Sequence, residues 1–296
     1  MENKCPLCEL SDYIEVGVPD IGAKAQKIIK NNFKVVQCNN CNFYFLEPPV
    51  NFSKEEWEYL YSEGYFAQPT KWHLKQRESD RKKRFDTLQQ YATIEVNKFL
   101  DIGCGEGYTL AEASGRGWIP YGLDIYDNRI EEIKSNNNYF IKGDLFSSSF
   151  PDNYFDIIYL DSVLEHVPNP MQYLFEVNRI LKKGGLVYIG VPNEDSLLND
   201  FRKFIFKIKG GGISEKLIPF KSPYHIGGFN SDSLNYIVGK SNFKILSKRN
   251  FACRLEFLKY PFLSEPYLNS LFLLPVFLLA IPLKKEVYFE LYLEKA

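Results

Sequence analysis

From residue 96 onward, short apolar runs alternate with stretches whose apolar residues recur every three or four positions. The runs VNKFLDIG, IPYGLDI, NYFIKGD, YFDIIYLDSV and LVYIGVP predict strands. Between them, YTLAEASGRG, NRIEEIKSN and PMQYLFEVNRILKKGG predict helices, the last closed by Gly184 and Gly185. Such alternation predicts parallel βαβ units with helices on both faces of one sheet, an α/β Rossmann-like class. Beyond an irregular stretch at 194–229, SDSLNYIVGKSN predicts a helix, FKILSKRN a strand and EVYFELYLEK a last strand. The apolar segment 254–285 between those two strands, flanked by Lys284 and Lys285, predicts a helical insertion. Its core, LFLLPVFLLAIPL, is shorter than the roughly 20 residues that span a bilayer and is interrupted by Pro275 and Pro282. Two uses suit it: docking on a membrane face or lipid-linked acceptor, or packing as a lid.

Upstream the pattern changes. SKEEWEYLY opens with Ser53 and Glu56 in capping-box spacing, and HLKQRESDRKKRFDTLQQYA reads as a charged helix with a solvated face. Before them stand two C-x-x-C pairs, Cys5/Cys8 and Cys38/Cys41, with FKVVQC and FYFLE as strands around the second. In a reducing compartment such pairs bind metal more often than they form disulfides. Four thiolates make a closed tetrahedral site for a structural Zn²⁺, with no open position for catalysis. Three segments result: a zinc-ribbon-like unit at 1–50, a helical linker or cap at 51–94, and an α/β domain at 95–296 with its apolar insertion at about 251–286.

The candidate chemistry lies in FLDIGCGEGYTL, where a strand ends in Asp101 and Gly103, Gly105 and Gly107 follow at every second position. A glycine turn between a strand and a helix places a ligand at the helix N-terminus. Position 108 is Tyr, so the spacing is G-x-G-x-G and departs from the dinucleotide fingerprint, which suits a nucleoside-like ligand without a pyrophosphate. Asp124 ends the second strand and can accept from vicinal ribose hydroxyls, with Ile125 beside it; Asp144 and the Leu145 backbone follow the third strand, where an adenine edge would lie.

These residues resemble class I S-adenosylmethionine-dependent methyltransferases over about 95–195. FLDIGCGEGYTL resembles the family's first motif, GLDI its ribose acid and GDLF its adenine-side motif; the LEH and LKKGG signatures resemble its small-molecule branch. The resemblance implies a seven-stranded sheet with EVYFELYLEK as an antiparallel last strand, and S-adenosylmethionine as cofactor. An N-terminal zinc segment before such a domain is also similar to sugar methyltransferases of polysaccharide and antibiotic pathways, which implies a sugar or lipid-linked sugar as acceptor.

Methyl transfer to a hydroxyl gains from a general base. The chain has three histidines: His166 follows the fourth strand of the domain, His225 lies in SPYHIGGF as part of a movable substrate wall, and His73 sits in the charged helix as a surface residue. Asp161 is a third candidate base, and Tyr65, Tyr224 and Phe229 are candidate aromatic walls. A net charge of −1 gives no basic footprint for nucleic acid, which weighs against the competing ribosomal RNA guanine methyltransferase, another family that pairs a zinc module with this domain. A domain that binds cofactor without catalysis is the other alternative. The first ten residues lack the basic, apolar and small-residue succession of a secretory signal, so a cytoplasmic protein with peripheral membrane contact through 254–285 is expected.

Overall fold

The computed structural model describes residues 4–29, 32–62, 71–135, 139–208, 210, 216–221, 224–251, 260 and 262–296. Its centre is a seven-stranded sheet. In chain order its strands are β4 (Lys98–Ile102), β5 (Ile119–Asp124), β6 (Tyr139–Lys142), β7 (Phe155–Asp161), β8 (Leu181–Pro192), β10 (Phe243–Phe251) and β11 (Tyr288–Lys295). Their order across the sheet is β10-β11-β8-β7-β4-β5-β6. The strands from β8 to β6 pair in parallel, and β11 inserts antiparallel between β8 and β10. The antiparallel strand is EVYFELYLEK, as the resemblance implied.

Both faces of the sheet are buried, which is why its middle strands read as nearly unbroken apolar runs. On β7, Ile158 and Leu160 face one core, shared with α5 (Pro170–Ile180) and α7 (Ser231–Lys240). Ile157 and Tyr159 face the other, shared with Phe85 and Leu88 of α2 (Lys71–Tyr91) and with α3 (Tyr108–Gly115). The alternation follows from the two-residue period of a strand.

The charged helix is therefore not merely a solvated face. Arg84 of α2 has only 14% of its side chain exposed and reaches across the second core: Nε lies 2.6 Å from Glu290 and Nη1 lies 2.7 Å from Asp161. Its guanidinium also sits over the ring of Tyr188, which stacks on Tyr159 at 4.4 Å. These contacts fasten α2 beneath the carboxyl ends of β7 and β8.

The N-terminal segment forms its own sheet from β1 (Tyr13–Gly17), β2 (Lys34–Cys38) and β3 (Tyr44–Glu47). Its fourth strand, β9 (Gly227–Gly228), comes from the other half of the chain. A side chain at Gly227 would strike the ring of Phe43, and one at Gly228 would meet Tyr44 and Glu194, so two glycines let the backbones approach. Cys5, Val36, Cys41, Phe43 and Phe45 join the core of the large sheet, and Phe43 packs on Phe229 at 4.9 Å. The helix α1 (Lys54–Tyr61) begins with the predicted capping box between Ser53 and Glu56.

The stretch 194–229 is not wholly irregular. Leu197–Ile208 form a helix, α6, which packs against α8 (Glu265–Ala280) of the apolar segment through Leu198 and Phe277. Residue Tyr288 at the start of β11 pairs with Pro192 at the end of β8, so both helices project from the edge where the parallel strands end. Their outer faces expose large apolar groups, among them Phe204 at 60%, Ile208 at 67% and Phe272 at 70%. No helix among the described residues is long and apolar enough to cross a membrane.

Candidate functional site

The carboxyl ends of β4, β5, β6 and β7 carry the predicted glycines and acids. Gly103, Gly105 and Gly107 have φ of 72°, 49° and 83°, a left-handed backbone that other residues adopt at a cost. Part of the room they make is taken by the protein itself. A methyl group on Gly103 would meet Val163 at 2.8 Å, and one on Gly107 would meet Ile133 at 3.0 Å. The loop ends at the N-terminus of α3, with Gly107 as its cap.

Asp124 is drawn onto this loop. Its Oδ2 accepts from the Gly105 amide at 2.8 Å and its Oδ1 from the Tyr126 amide at 3.3 Å. Burial pushes its pKa up, and the amides of Gly105, Tyr126 and Ile125 oppose that rise. Asp101, on β4, is buried and accepts from the Thr109 hydroxyl of α3; burial raises its pKa well above the usual carboxylate range, against the Thr109 bond, and nearby Asp161 and Asp124 add to the rise. Asp144 is exposed and accepts from the Phe146 and Ser147 amides at 2.9 and 3.0 Å, which folds the turn after β6. Leu145 has its side chain fully buried. Five of the cofactor-side residues (the three glycines, Asp124 and Ile125) therefore lie on one loop cluster. Asp101 supports that cluster from beneath, and Asp144 and Leu145 stand at the neighbouring strand end.

Asp161 ends β7. Its Oδ2 accepts from Arg84 at 2.7 Å and, at 3.5 Å, from Tyr159, while its Oδ1 accepts from the Tyr288 hydroxyl at 2.7 Å. Three donors, one of them the buried Arg84 guanidinium, fit this carboxylate for positioning its neighbours better than for taking a proton.

Beyond it, Leu164–His166 make one 3-10 turn that zips onto residues 224–226. The Ile226 amide donates to the Glu165 carbonyl at 2.9 Å. His166 Nδ1 lies 3.2 Å from the Tyr224 carbonyl and 2.8 Å from the Tyr61 hydroxyl. A carbonyl only accepts, so the tautomer with hydrogen on Nδ1 satisfies it. The His166 and His225 rings meet edge-to-face at 4.9 Å. Burial lowers the pKa of His166 to about 4 and that of His225 well below the ordinary value, so both are neutral at pH 7. Burial also pushes Glu165 up to about 8, opposed by its own amide, reinforced by Asp161 and softened by Ser162.

His225 stands next to β9, in a segment bonded to Glu165 and to the N-terminal sheet. The side chain expected in a movable substrate wall is packed against His166, with little of it exposed. Tyr224 and Phe229 are both buried; Tyr224 meets Tyr61 edge-to-face at 5.8 Å, while Phe229 belongs to the core and not to a substrate wall. Tyr65 and the side chain of His73 lie outside the described residues. In the sequence Glu165 stands only within the LEH signature, and nothing local marks Tyr61 or Arg84, whose contacts depend on distant partners.

Cys5, Cys8, Cys38 and Cys41 converge, with their four sulfurs within 4.8 Å of one another. The Sγ pairs Cys5–Cys41 and Cys8–Cys38 are 3.6 and 3.5 Å apart. A tetrahedron with Zn–S bonds of about 2.3 Å has edges of roughly 3.8 Å, so the donor set fits zinc and is far too wide for disulfides. Glu9 and Asn42, each directly after the second cysteine of a pair, share a left-handed φ of 63° and 58°. The two knuckles are thus built alike.

Fold and strand edge together define a Rossmann-like α/β protein with its glycine loop at the carboxyl ends of the parallel strands. The methyltransferase-domain family matches residues 72–248, more than half of the chain, and the protein belongs to that family. It is 27% identical over 144 residues to the ubiquinone biosynthesis O-methyltransferase of Saccharophagus degradans, covering 46% of this chain and 58% of the relative. It is 32% identical over 144 residues to a demethylmenaquinone methyltransferase of a Geobacillus species, covering 45% and 58%. The chain thus spans less than two thirds of these relatives. A crystal structure of a SAM-dependent methyltransferase from Archaeoglobus fulgidus is similar in fold, with a TM-score of 0.51 and 20% identity over 74% of this chain and 94% of that one.

Proposed function

We propose that this protein transfers a methyl group from S-adenosylmethionine to an oxygen of a small acceptor carried on a lipid. The observation that carries the reading is Asp124, whose two oxygens each hold one loop amide and keep further acceptor capacity at the mouth of the glycine loop. That is the arrangement a ribose diol needs. The cofactor supplies a sulfonium-activated methyl group. Gly103, Gly105 and Gly107 give its nucleoside a close backbone wall, Asp124 takes the ribose, and Asp144 with the Leu145 backbone borders the adenine side.

Much of the catalysis is positioning, because the leaving group is already good. Asp161, fixed by Arg84 and Tyr288, holds the end of β7 beside the transfer point. Glu165, His166 and His225 form the acceptor side, with Tyr61 of α1 closing over His166. The cysteine cluster takes Zn²⁺ in a structural role, since four sulfurs leave no coordination position open.

The lipid-borne character of the acceptor is supported by the exposed apolar faces of α6 and α8 beside the site, with Arg202, Lys203, Lys207 and Lys284 exposed among them. Apolar groups rimmed by cations suit an anionic membrane surface. Relatives named ubiquinone biosynthesis O-methyltransferase and demethylmenaquinone methyltransferase support a quinone-type acceptor over the sugar expected from the zinc segment. A methyl-labelled cofactor incubated with protein and membrane extract tests the proposal. Label should enter the organic-extractable fraction; label confined to water-soluble sugars would sink the lipid-borne acceptor, and no cofactor-dependent labelling would sink the activity.

A further inference from the structure

The mechanism above leaves one oddity. Glu165 is 1% exposed, and neither of its carboxylate oxygens finds a hydrogen-bond partner of good geometry among the described residues. Buried without such a partner, the side chain either keeps its proton or, as a carboxylate, costs several kcal/mol unless something of opposite charge joins it. The groups facing it are two imidazoles. Glu165 Oε1 lies 4.0 Å from His166 Nε2 and 3.9 Å from His225 Nε2, and the three ligand atoms all fall within 4.8 Å of one another.

We propose that Glu165, His166 and His225 form a binding site for a divalent transition-metal ion, which holds the acceptor oxygen during methyl transfer. The proposal rests on the methyltransferase reading for its purpose but not for its geometry. Atoms bound tetrahedrally to one ion at about 2.1 Å stand roughly 3.4 Å apart, so both carboxylate–imidazole separations close onto an ion with a movement of about half an ångström.

Orientation also fits. His166 turns Nδ1 to the Tyr224 carbonyl and the Tyr61 hydroxyl, which leaves Nε2, 4.0 Å from Glu165, as the nitrogen available to an ion. Imidazoles that bind metals are commonly oriented through the opposite nitrogen in this way. The Ile226 amide on the Glu165 carbonyl locks the two segments that carry the ligands. Two imidazoles and one carboxylate select borderline ions such as Zn²⁺, Mn²⁺, Fe²⁺ or Co²⁺ over Mg²⁺ or Ca²⁺.

Three protein ligands leave positions open, unlike the cysteine cluster. The ligand turn is also well placed, because Val163, one residue before it, touches the backbone of Gly103 in the cofactor loop. An acceptor hydroxyl on the ion would lose its proton to solvent more readily. Its oxygen would then bond to the methyl carbon as the carbon–sulfur bond breaks, the electron pair staying on sulfur.

Cobalt(II) titration of the full-length, zinc-loaded protein tests the site without reference to activity. One further ion per chain should bind, with visible d–d bands and none of the near-ultraviolet charge transfer that thiolate ligands give. His225→Ala and Glu165→Gln should each weaken that binding at least about tenfold, and the milder His225→Asn should do the same should His225→Ala fold poorly. No bound cobalt beyond the cysteine cluster, or binding unmoved in folded variants, would overturn the proposal. Calorimetry with S-adenosylmethionine on the same samples separates the readings. Cofactor binding without a cobalt site sinks the metal alone, while a cobalt site without cofactor binding sinks the methyl-transfer reading.

Discussion

Replacing Asp124 by alanine should weaken S-adenosylmethionine binding about 100-fold. The carboxylate offers about four acceptor positions. The Gly105 and Tyr126 amides occupy one on each oxygen, at 2.8 and 3.3 Å, which leaves one on each for the two ribose hydroxyls. A hydrogen bond to a charged group contributes about 1.5–3 kcal/mol net. Two at the lower bound amount to about 3 kcal/mol, and each 1.4 kcal/mol is a tenfold change in Kd. Asp124→Asn keeps one oxygen but loses the charge and turns an amide toward the ribose or the loop, so about a tenfold loss is expected. Isothermal titration with S-adenosylmethionine reads both numbers, and a thermal melt separates lost recognition from a loosened loop. Less than a fivefold change in a variant that melts like the parent would refute the assignment of Asp124 to the ribose. The pH dependence supplies a second check. Burial raises the Asp124 pKa above 3.8. Cofactor affinity should therefore fall on acidification before an ordinary aspartate would protonate. The contribution of the same group to folding runs the other way, because a raised carboxylate pKa gives stability that is present at low pH and lost as pH rises through the folded value.

Four further outcomes are expected. Arg84→Met removes contacts of 2.6 and 2.7 Å to Glu290 and Asp161, which keep Arg249 and the Tyr288 hydroxyl as partners, so it should cost about 1.5–3 kcal/mol of stability in urea unfolding, and a loss below about 0.5 kcal/mol would show the contacts to be incidental. Metal analysis should find a zinc ion lost from Cys8→Ser; unchanged zinc in that variant would remove the cysteine cluster as its holder. Gly190→Ala places a methyl against Asp161 and Tyr288, so cofactor turnover should fall more than cofactor binding, a split that equal losses would contradict. Flotation with anionic vesicles should carry the protein up, and the double variant Phe204→Asp with Phe272→Asp should stay at the bottom; a wild-type protein that does not float would remove the membrane-facing role of α6 and α8.

The parallel strands were legible because burial on both faces leaves a continuous apolar signature, as in FDIIYL on β7. The glycine loop was legible because left-handed φ is written in residue type, and Asp124 because its distance from the loop is fixed by one βα unit. Helix α6 was overlooked although Leu197, Leu198, Phe201, Phe204, Ile205 and Ile208 keep helical spacing, since glycines 210–212 and the polar residues at 193–196 read as loop. Arg84 was hidden for a different reason. Its neighbours Arg81, Lys82 and Lys83 make a charged run, and nothing local marks which cation turns inward to Glu290. Glu165 was visible as a letter beside His166, but its place between two imidazoles comes from separate segments meeting in space, among them the one carrying His225 about sixty residues later in the chain.

The strand supplied by Gly227 and Gly228 to the N-terminal sheet makes the cysteine unit something other than a detachable tag. His225 is two residues from that seam, and Phe43 fills the space above it. A chain trimmed to begin at α1 would keep every residue of the cofactor edge yet lose the surface that holds the acceptor side in place. Depleting zinc should thus register as poorer acceptor handling before it registers as weaker cofactor binding. In an environment where zinc is scarce or the thiols are oxidised, the same seam would let metal supply set the pace of methylation.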